Sequence, residues 1–397
     1  MRYLHLGSSG LLVSAVGLGC NNFGGRLDAQ ATRAVVDAAL DAGVTLFDTA
    51  DIYGGAGGSE RHLGQALKGR RDQVVLATKF GFDGVDMGYG PAAGARGGRA
   101  YIRRAVEESL RRLDTEHIDL YQLHSPDPAV PIAETLGALG ELVTEGKVRY
   151  IGHSNLSGWQ LAEAAHTARE SGATPFVSAQ NEWSLLQRSA ERELVPAALH
   201  YGVGVLPYFP LANGLLTGKI RRGAPVPPGS RLEGRDAYLT EERLDTVEAL
   251  AAIAGKYDRT VLELAIGWLS AQPGCSSVIA GATFPRAGPR ERGRRGPPAG
   301  SGAARGDRRR RLSGGPAPRQ NSPSGPAAPR QNSPSGPAAP QTRGFIQGSR
   351  RRPRVFDGFP RARAAAPALR TRCPCGRSPG TRARTAPPRT TPTPPHP

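Results

Sequence analysis

Short apolar runs alternate with amphipathic segments along the first 284 residues of this 397-residue chain. The amphipathic segments repeat their apolar residues at intervals of three and four, which is typical of helices, and several end on glycine. Between them stand eight short apolar runs of the kind found in buried parallel strands. These runs are AVGLG, VTLFDT, VVLATK, IDLYQLH, VRYIGHS, FVSAQN, VGVLPY and SSVIAGA.

This alternation predicts an α/β fold, the (β/α)₈ TIM barrel, because eight strand–helix units in roughly 280 residues have the size of that fold. The N-terminal segment YLHLGSSGLLVS predicts a β-hairpin before the first barrel strand. A doubly wound dinucleotide-binding sheet is the competing architecture, and it requires G-x-G-x-x-G after its first strand. Here Gly17 and Gly19 are followed by Asn22 at the third glycine position, so the pattern favours the closed barrel.

The composition changes abruptly at residue 285. Residues 285–397 contain 25 Arg, no Lys and 23 of the 35 prolines, and they account for the net charge of +18, since residues 1–284 carry a net −4. An 11-residue repeat, PRQNSPSGPAA, occupies 318–328 and again 329–339. Such a composition buries too little apolar surface to offset the entropy of ordering it. We therefore predict two regions, a barrel over 1–284 and a disordered Arg/Pro/Gly/Ala-rich tail over 285–397.

The tail begins where the barrel needs its last helix. The segment PRAGPRERGRRGPPAGSG cannot form that helix, so the last helix is predicted to be missing. Arg-, Pro-, Ala- and Gly-rich sequence without lysine is what GC-rich DNA encodes out of frame, which suggests a reading-frame shift near residue 284. The alternative is a genuine basic extension that binds nucleic acid through phosphate contacts, but it lacks lysine and interleaved aromatic residues.

Cysteine usage and the absence of targeting signals bear on the compartment. The four cysteines form no C-x-x-C pair and no metal-binding framework, which suits a reducing compartment. The N-terminus lacks the pattern of a signal peptide, and no apolar stretch approaches the roughly 20 residues that cross a bilayer. These features predict a cytoplasmic protein that does not enter a membrane and holds no metal.

Three of the apolar runs end on an ionisable residue: Asp48, Lys79 and His124, with Tyr53 five residues after the first. In a barrel, the carboxyl ends of the strands supply the catalytic groups from one rim. Carbonyl reduction needs a hydride and a proton, and a phenol with a pKa of about 10 can give that proton more easily beside an ammonium group. Taken singly, these residues are better explained by ordinary structural roles: Asp48 as a helix cap, Lys79 as a solvated charge, His124 as a loop histidine and Tyr53 as a core-edge aromatic. Their common position at strand ends favours proton chemistry.

The same residues carry a resemblance to the aldo-keto reductase superfamily over residues 1–283. The segments concerned are FDTADIYGGAGGSERHLGQAL, VVLATKFG, IDLYQLHSPDPAVPIAETLGAL and EGKVRYIGHSN. The resemblance implies a (β/α)₈ barrel that uses NADPH without a Rossmann fold. It also implies that Asp48, Tyr53, Lys79 and His124 are the catalytic tetrad.

The resemblance further implies where NADPH is held. Cys20 and Asn21 would lie near the nicotinamide together with Asp48, and Tyr208 would stack on its ring. The nicotinamide carboxamide would be held by Ser154, Asn155 and Gln180. The pyrophosphate would be wrapped by a loop that contains Pro210, Leu211, Ala212, Asn213 and Lys219, with Arg231 beside it. The adenosine phosphate site would begin at Gly281 and Thr283. After Thr283 the family's polar helix is replaced by proline, arginine and glycine, which is expected to weaken NADPH binding.

Three functions are compatible with these observations. The first is the NADPH-dependent reduction of a small aldehyde or ketone with Tyr53 as the proton donor. The second is a non-catalytic NADPH-binding sensor, like the cofactor-binding subunits of potassium channels. The third is an inactive barrel with an altered C-terminus. The complete set of four ionisable residues favours the enzyme.

Overall fold

The computed structural model describes residues 1–283 of the chain. The predicted disordered tail and the predicted loss of the last helix lie outside the described residues. The strands are β1 (Tyr3–His5), β2 (Leu12–Ser14), β3 (Val16–Gly19), β4 (Leu46–Asp48), β5 (Val75–Phe80), β6 (Ile118–Leu123), β7 (Val148–Ser154), β8 (Ser178–Gln180), β9 (Gly204–Val205) and β10 (Val278–Gly281). The α-helices are α1 (Ala29–Asp41), α2 (Gly58–Leu67), α3 (Arg99–Leu113), α4 (Ile132–Thr144), α5 (Gly158–Ser171), α6 (Leu194–Tyr201), α7 (Glu241–Lys256) and α8 (Val261–Ser270).

Eight of the strands form one parallel sheet that closes on itself. The strand order is β10-β3-β4-β5-β6-β7-β8-β9, so nearly all neighbours in space are also neighbours in the sequence. The two end strands are joined because Val205 N donates to Gly274 O at 2.8 Å and Ile279 N donates to Pro207 O at 2.9 Å. The predicted TIM barrel is therefore confirmed, and the open doubly wound sheet is excluded by this sequential order and closure.

The helices cover the outside of the barrel with apolar faces. In α3, Ile102, Val106, Leu110 and Leu113 recur every three or four residues, and none is more than 9% exposed. Residues at this spacing lie on one face of a helix, and here that face packs into the largest apolar cluster of the protein. No helix within residues 1–283 is long and apolar enough to cross a membrane.

The N-terminal hairpin closes one end of the barrel. β1 and β2 pair antiparallel, as the sequence predicted, and Leu6 between them is completely buried. Leu6 and Val13 share a cluster with apolar side chains of the barrel strands, namely Leu46, Ala77, Leu120, Leu206 and Ile279. Gly7 has a φ of +60°, and a Cβ there would lie 2.4 Å from the carbonyl oxygen of Gly202, so only glycine fits this close approach. The opposite, carboxyl end of the strands is left as the candidate site.

One predicted helix is shorter than the sequence pattern indicated. The segment SAERELVPAALHYG, residues 189–202, has the apolar spacing that predicts one continuous helix. The structure instead has a short 3₁₀ turn, Ser189–Glu191, and then α6, which begins at Leu194. Pro196 is the third residue of α6, where its missing N–H would have no helical partner in any case. A helix that included residue 192 would bring the Pro196 ring against the Arg192 carbonyl, so α6 begins only at Leu194.

Candidate active site

The barrel interior changes from apolar to polar along each strand toward its carboxyl end. Alternate residues of a strand face the same side, so Leu46 and Asp48 point into the barrel from β4. The same step takes β5 from Ala77 to Lys79 and β6 from Leu120 to Gln122; all of these residues are at most 3% exposed. In β4, β5 and β6, a step of two residues therefore leads from the apolar interior of the barrel to a buried polar layer at its mouth.

Asp48 and Lys79 form the centre of this polar layer. Lys79 Nζ donates to Asp48 Oδ2 at 2.7 Å and to the Thr49 carbonyl at 2.8 Å, and the Lys79 side chain has no exposed surface. Burial lowers the pKa of Lys79, but the neighbouring Asp48 carboxylate and the Tyr53 phenol raise it by more, so the net pKa lies above its usual value. The amine therefore stays protonated across the physiological pH range.

Two glutamine side chains hold the other oxygen of the carboxylate. Gln180 Nε2 donates to Asp48 Oδ1 at 2.9 Å, and Gln122 Nε2 donates to the same oxygen at 3.2 Å. Gln180 Nε2 also lies 3.3 Å from Gln122 Oε1. The amide nitrogen of Gln180 is thus engaged inside the barrel, and the contact of Gln180 with the carboxamide, which the resemblance implied, stays a prediction. Three hydrogen bonds fix the orientation of Asp48, and through it that of Lys79.

Tyr53 lies over the mouth on the segment between β4 and α2. Lys79 Nζ is 5.0 Å from the centroid of the Tyr53 ring, whose residue is only partly exposed. Burial raises the pKa of Tyr53, Lys79 lowers it and Asp48 raises it, with a net upward shift. The sequence led us to expect a lowered pKa, and that expectation is wrong for the protein alone, because desolvation of the phenolate outweighs the attraction of the ammonium.

His124 approaches Tyr53 from the end of β6. The two rings meet edge to face with centroids 5.8 Å apart, and Phe82 packs against the other side of the imidazole at 4.7 Å. Burial, followed by the charge of Lys79, lowers the pKa of His124 well below its usual value, so the ring is neutral. Its Nδ1 has no hydrogen-bond partner within residues 1–283. A neutral imidazole can donate one hydrogen bond and accept another.

The ends of β7 and β8 supply polar groups beside His124. Asn155 Nδ2 donates to the His124 carbonyl at 2.9 Å, and Tyr208 OH donates to Asn155 Oδ1 at 2.8 Å. Asn155 has a φ of 63°, a left-handed conformation that asparagine tolerates better than most residues. Ser154 Oγ donates to the Gln180 carbonyl at 2.8 Å. Ser154, Asn155, Gln180 and Tyr208 are therefore brought together, as neighbours of the four ionisable residues.

Three of the remaining predicted cofactor positions lie at the carboxyl ends of β3 and β10, namely Asn21, Gly281 and Thr283. Arg231 donates to Asn21 Oδ1 at 2.7 Å and to Asn22 Oδ1 at 3.1 Å. Gly281 faces the same guanidinium, because a Cβ at that position would lie 3.7 Å from Arg231 Nη2. Thr283 is the last described residue of this strand end. Arg231, Asn21 and Gly281 thus meet, although more than 200 residues separate the arginine from the asparagine.

The segment after Tyr208 forms a tight series of turns. Its conformation requires positive φ at Ala212 (45°) and Asn213 (57°), both of which are buried, and the series ends near Lys219 at the surface. Pro210 and Leu211 precede these residues, and the Leu211 carbonyl accepts hydrogen bonds from the amides of Gly214 and Leu216. These two amides are satisfied within the turns, and the contact of this segment with the pyrophosphate stays a prediction.

The Cys20 side chain lies in the core, and its contact with the nicotinamide stays a prediction. Its side chain is completely buried in the cluster between the sheet and the helices, and its Sγ contacts the Leu18 carbonyl at 3.5 Å. Burial, followed by the charge of Asp48, raises the pKa of the Cys20 thiol well above its usual value. The thiol thus packs as part of the core, and the backbone is the part of Cys20 nearer to Asp48, whose carbonyl accepts from Cys20 N at 2.8 Å.

Two polar residues of the site were missed from the sequence. Gln122 is buried within the apolar run IDLYQLH, and a polar side chain in such a run is the signal that could have identified it. Asn22 is 4% exposed, and its Nδ2 donates to the Ala282 carbonyl at 3.0 Å. It links the first and last barrel strands beside Arg231.

Within residues 1–283, no group of three or more His, Cys, Asp or Glu residues could hold a metal ion.

The fold and the polar mouth define a (β/α)₈ barrel protein with its functional groups at the carboxyl ends of the strands. A family model described as the Aldo/keto reductase family matches residues 15–286. This chain belongs to that family, and a general oxidoreductase role follows from its membership and its relatives.

Relatives carry two kinds of name. The "Uncharacterized oxidoreductase YrpG" of Bacillus subtilis is 40% identical over 288 residues, which cover 71% of this chain and 87% of the relative. The "Probable aldo-keto reductase 1" of Glycine max is 38% identical over 277 residues, with 67% and 76% covered. A "Probable voltage-gated potassium channel subunit beta" of Arabidopsis thaliana is 34% identical over 295 residues, with 71% and 88% covered.

Proposed function

We propose that this protein reduces an aldehyde or a ketone to an alcohol, with NADPH as the reductant and Tyr53 as the proton donor. One observation carries the proposal: the completely buried Lys79 ammonium, ion-paired with Asp48, lies directly under the Tyr53 ring with His124 beside it. A buried ion pair is costly to maintain for stability alone, so its position under a phenol at the barrel mouth favours a chemical role.

The residues around Arg231 fit the phosphates of a dinucleotide. Burial lowers the pKa of Arg231, the cationic side chains of Arg26 and Arg235 lower it further, and Tyr53 raises it. A cluster of guanidinium groups that is ion-paired with no carboxylate of residues 1–283 suits an anionic ligand. At the other side of the mouth, the Tyr208 ring and the amide of Asn155 can hold a planar amide-bearing ring. When bound, NADPH supplies the hydride for the carbonyl carbon.

The side chains of the mouth would handle the proton. Tyr53 keeps its proton at neutral pH because its pKa is raised, so it is available as an acid. As negative charge develops on the carbonyl oxygen, the phenolic O–H bond breaks and an alcohol O–H bond forms. The Lys79 ammonium then stabilises the resulting tyrosinate, and Asp48 keeps that ammonium in place. Neutral His124 would donate a hydrogen bond that holds the carbonyl oxygen next to Tyr53.

Replacing Tyr53 by phenylalanine tests the assignment. We expect Tyr53→Phe to lower kcat by about 10²–10⁴-fold, the usual contribution of a positioned general acid. The affinity for NADPH, measured by fluorescence titration, is expected to remain nearly unchanged, since the ring itself is kept. Tyr201→Phe is the matched control, because the Tyr201 hydroxyl lies at the surface, 3.1 Å from His166 Nε2. Unchanged turnover in Tyr53→Phe would refute the proton donor.

A second candidate function is a non-catalytic NADPH-binding subunit. The relative at 34% identity that is named a potassium channel beta subunit favours it. The two functions separate in one pair of measurements, NADPH binding and the turnover of a generic aldehyde. Binding without turnover would support the subunit. A thermal unfolding temperature that saturating NADPH does not raise would count against both and support the inactive barrel.

A further inference from the structure

A second group of buried ionisable side chains lies on the other side of the segment that carries Tyr53. Glu60, in the first turn of α2, is completely buried and accepts from Thr78 Oγ1 at 2.6 Å and from Arg112 Nε at 2.5 Å. Arg112, in α3, is 7% exposed. Asp51, two residues before Tyr53, is completely buried beside them. The proposed chemistry of the mouth uses none of these residues.

The charges of this group do not balance when both carboxyls are ionised. Arg112 is hydrogen-bonded to Glu60 and to Ser109 Oγ, and its Nη1 is 3.7 Å from another carboxylate, Glu108. Within residues 1–283, neither oxygen of Asp51 has a hydrogen-bond partner; the Ile52 amide faces the carboxyl without meeting hydrogen-bond geometry. An ionised carboxyl without a partner is too costly to bury, so one proton must be held here.

Asp51 is the carboxyl that holds this proton, because Glu60 already has two charge-compatible donors. Burial, followed by the charge of Glu60, raises the pKa of Asp51 to about 7, with Arg112, the Ile52 amide and Lys79 opposing the shift. The other titratable groups that respond to the charge of Asp51 are four phenols: Tyr53 itself, Tyr89 in the loop before α3, Tyr101 in α3 and Tyr121 in β6. Burial raises the pKa of each of these phenols, so they stay neutral and bring no charge that could balance an ionised Asp51.

Members of the group lie at both ends of the segment that carries Tyr53. At the first end, Asp51 N donates to the Lys79 carbonyl at 3.1 Å. At the second end, Gly57 has a φ of +89° and packs directly on Arg112, since a Cβ there would lie 2.3 Å from Arg112 Cδ. Only turns formed by glycines and Ala56 connect Tyr53 to α2 between these points. A change in the balance of the group therefore acts on the placement of Tyr53.

We propose that Asp51 is a positioning residue for Tyr53, which in its protonated form keeps residues 51–60 in place and on ionisation loosens them. The link to catalysis rests on the proposed function of Tyr53. An acid whose folded pKa is raised stabilises the fold only while it is protonated, so this contribution is lost as the pH rises toward the folded value. Proton delivery by Tyr53 is accordingly expected to weaken above neutral pH.

Amide hydrogen exchange of the full chain tests the proposal without requiring turnover. The wild type and Asp51→Asn are compared at the same pH, at about pH 6 and at about pH 8, since the variant keeps the shape of the neutral acid. We expect similar protection of residues 49–60 at the lower pH. At the higher pH we expect at least about threefold faster exchange in the wild type than in Asp51→Asn. Equal exchange at both pH values would overturn the proposal.

Two further measurements connect this effect to Tyr53 and protect against a variant that does not fold. In the wild type, kcat is expected to fall several-fold as the pH passes through neutrality while KM stays constant, and Asp51→Asn is expected to lack this step. Glu60→Gln leaves Arg112 to compensate Asp51 alone, so the exchange and kcat steps should move to lower pH. A step at the same pH in Glu60→Gln would overturn the proposal. If no carbonyl compound is turned over, the proposed function fails, but the exchange data still decide whether Asp51 controls the segment.

Discussion

The buried pair of Lys79 and Asp48 makes a quantitative prediction about stability. The Lys79 side chain is 0% and the Asp48 side chain 4% exposed, and Lys79 makes two hydrogen bonds, to Asp48 and to the Thr49 carbonyl. Lys79→Met keeps an unbranched side chain of similar length but removes the ammonium. The Asp48 carboxylate would then remain buried, with only uncharged amides as donors. The variant therefore isolates the cost of leaving a buried charge uncompensated.

The expected loss follows from the geometry of the pair. Removing one partner of a buried ion pair typically lowers the free energy of unfolding by about 3–5 kcal/mol. That is a large fraction of the roughly 5–15 kcal/mol by which most domains are stable. In Asp48→Asn/Lys79→Met both charges are gone, and the asparagine oxygen can still accept from Gln122 and Gln180. We expect the double variant to recover about 2–3 kcal/mol relative to Lys79→Met alone.

Equilibrium urea unfolding, followed by circular dichroism at constant pH, measures these differences. Lys147→Met is the matched control, because Lys147 pairs with Glu107 and Glu145 at the surface and its loss should leave the unfolding midpoint nearly unchanged. Two results would refute the reasoning. One is a Lys79→Met midpoint as close to the wild type as that of the control. The other is a double variant no more stable than Lys79→Met.

Two further substitutions test the packing and the acid sensitivity of the barrel. A Cβ on Gly64 would lie 2.5 Å from the Leu113 carbonyl oxygen, so Gly64→Ala should lower the free energy of unfolding by about 1–3 kcal/mol. A Cβ on Gly137 would have nothing within 4 Å, so Gly137→Ala should raise it by about 0.5–1 kcal/mol. Equal urea midpoints for the two variants would contradict this. Burial lowers the pKa of His153 to about 3, so the fold loses about 1.4 kcal/mol per pH unit below about pH 6.5. Thermal unfolding should show a smaller acid loss for His153→Leu than for the wild type, and parallel pH curves would contradict it.

The sequence predicted the architecture because the barrel is encoded by local periodicity. All eight strand-type runs became barrel strands, since each is a short apolar run between helices and can be read without knowing its partners. The position of Asp48, Lys79 and His124 at strand ends was readable for the same reason. The failure at Pro196 was also local, because the helical spacing of apolar residues outweighed the proline in our interpretation.

The contacts that complete the site could not be read from the sequence. Gln122 and Gln180 meet at Asp48 only because β6 and β8, which are two and four strands away from β4 in the barrel, face the same interior. The group of Asp51, Glu60 and Arg112 depends on the packing of α2 against α3, and sequence spacing does not reveal which charged residues of two helices will be buried together. Both networks are set by tertiary packing.

The pKa of Tyr53 shows why the balance of burial and charge decides how the mouth can work. The sequence suggested that a lysine neighbour lowers this pKa, and Lys79 does act in that direction. Burial acts more strongly, because the phenolate would lose its hydration in the mouth while Asp48 already neutralises much of the ammonium's field. A raised pKa keeps the proton on Tyr53 until a stronger base, such as a developing alkoxide, is next to it. The ion pair is therefore better suited to stabilising the tyrosinate after proton transfer than to ionising the tyrosine beforehand.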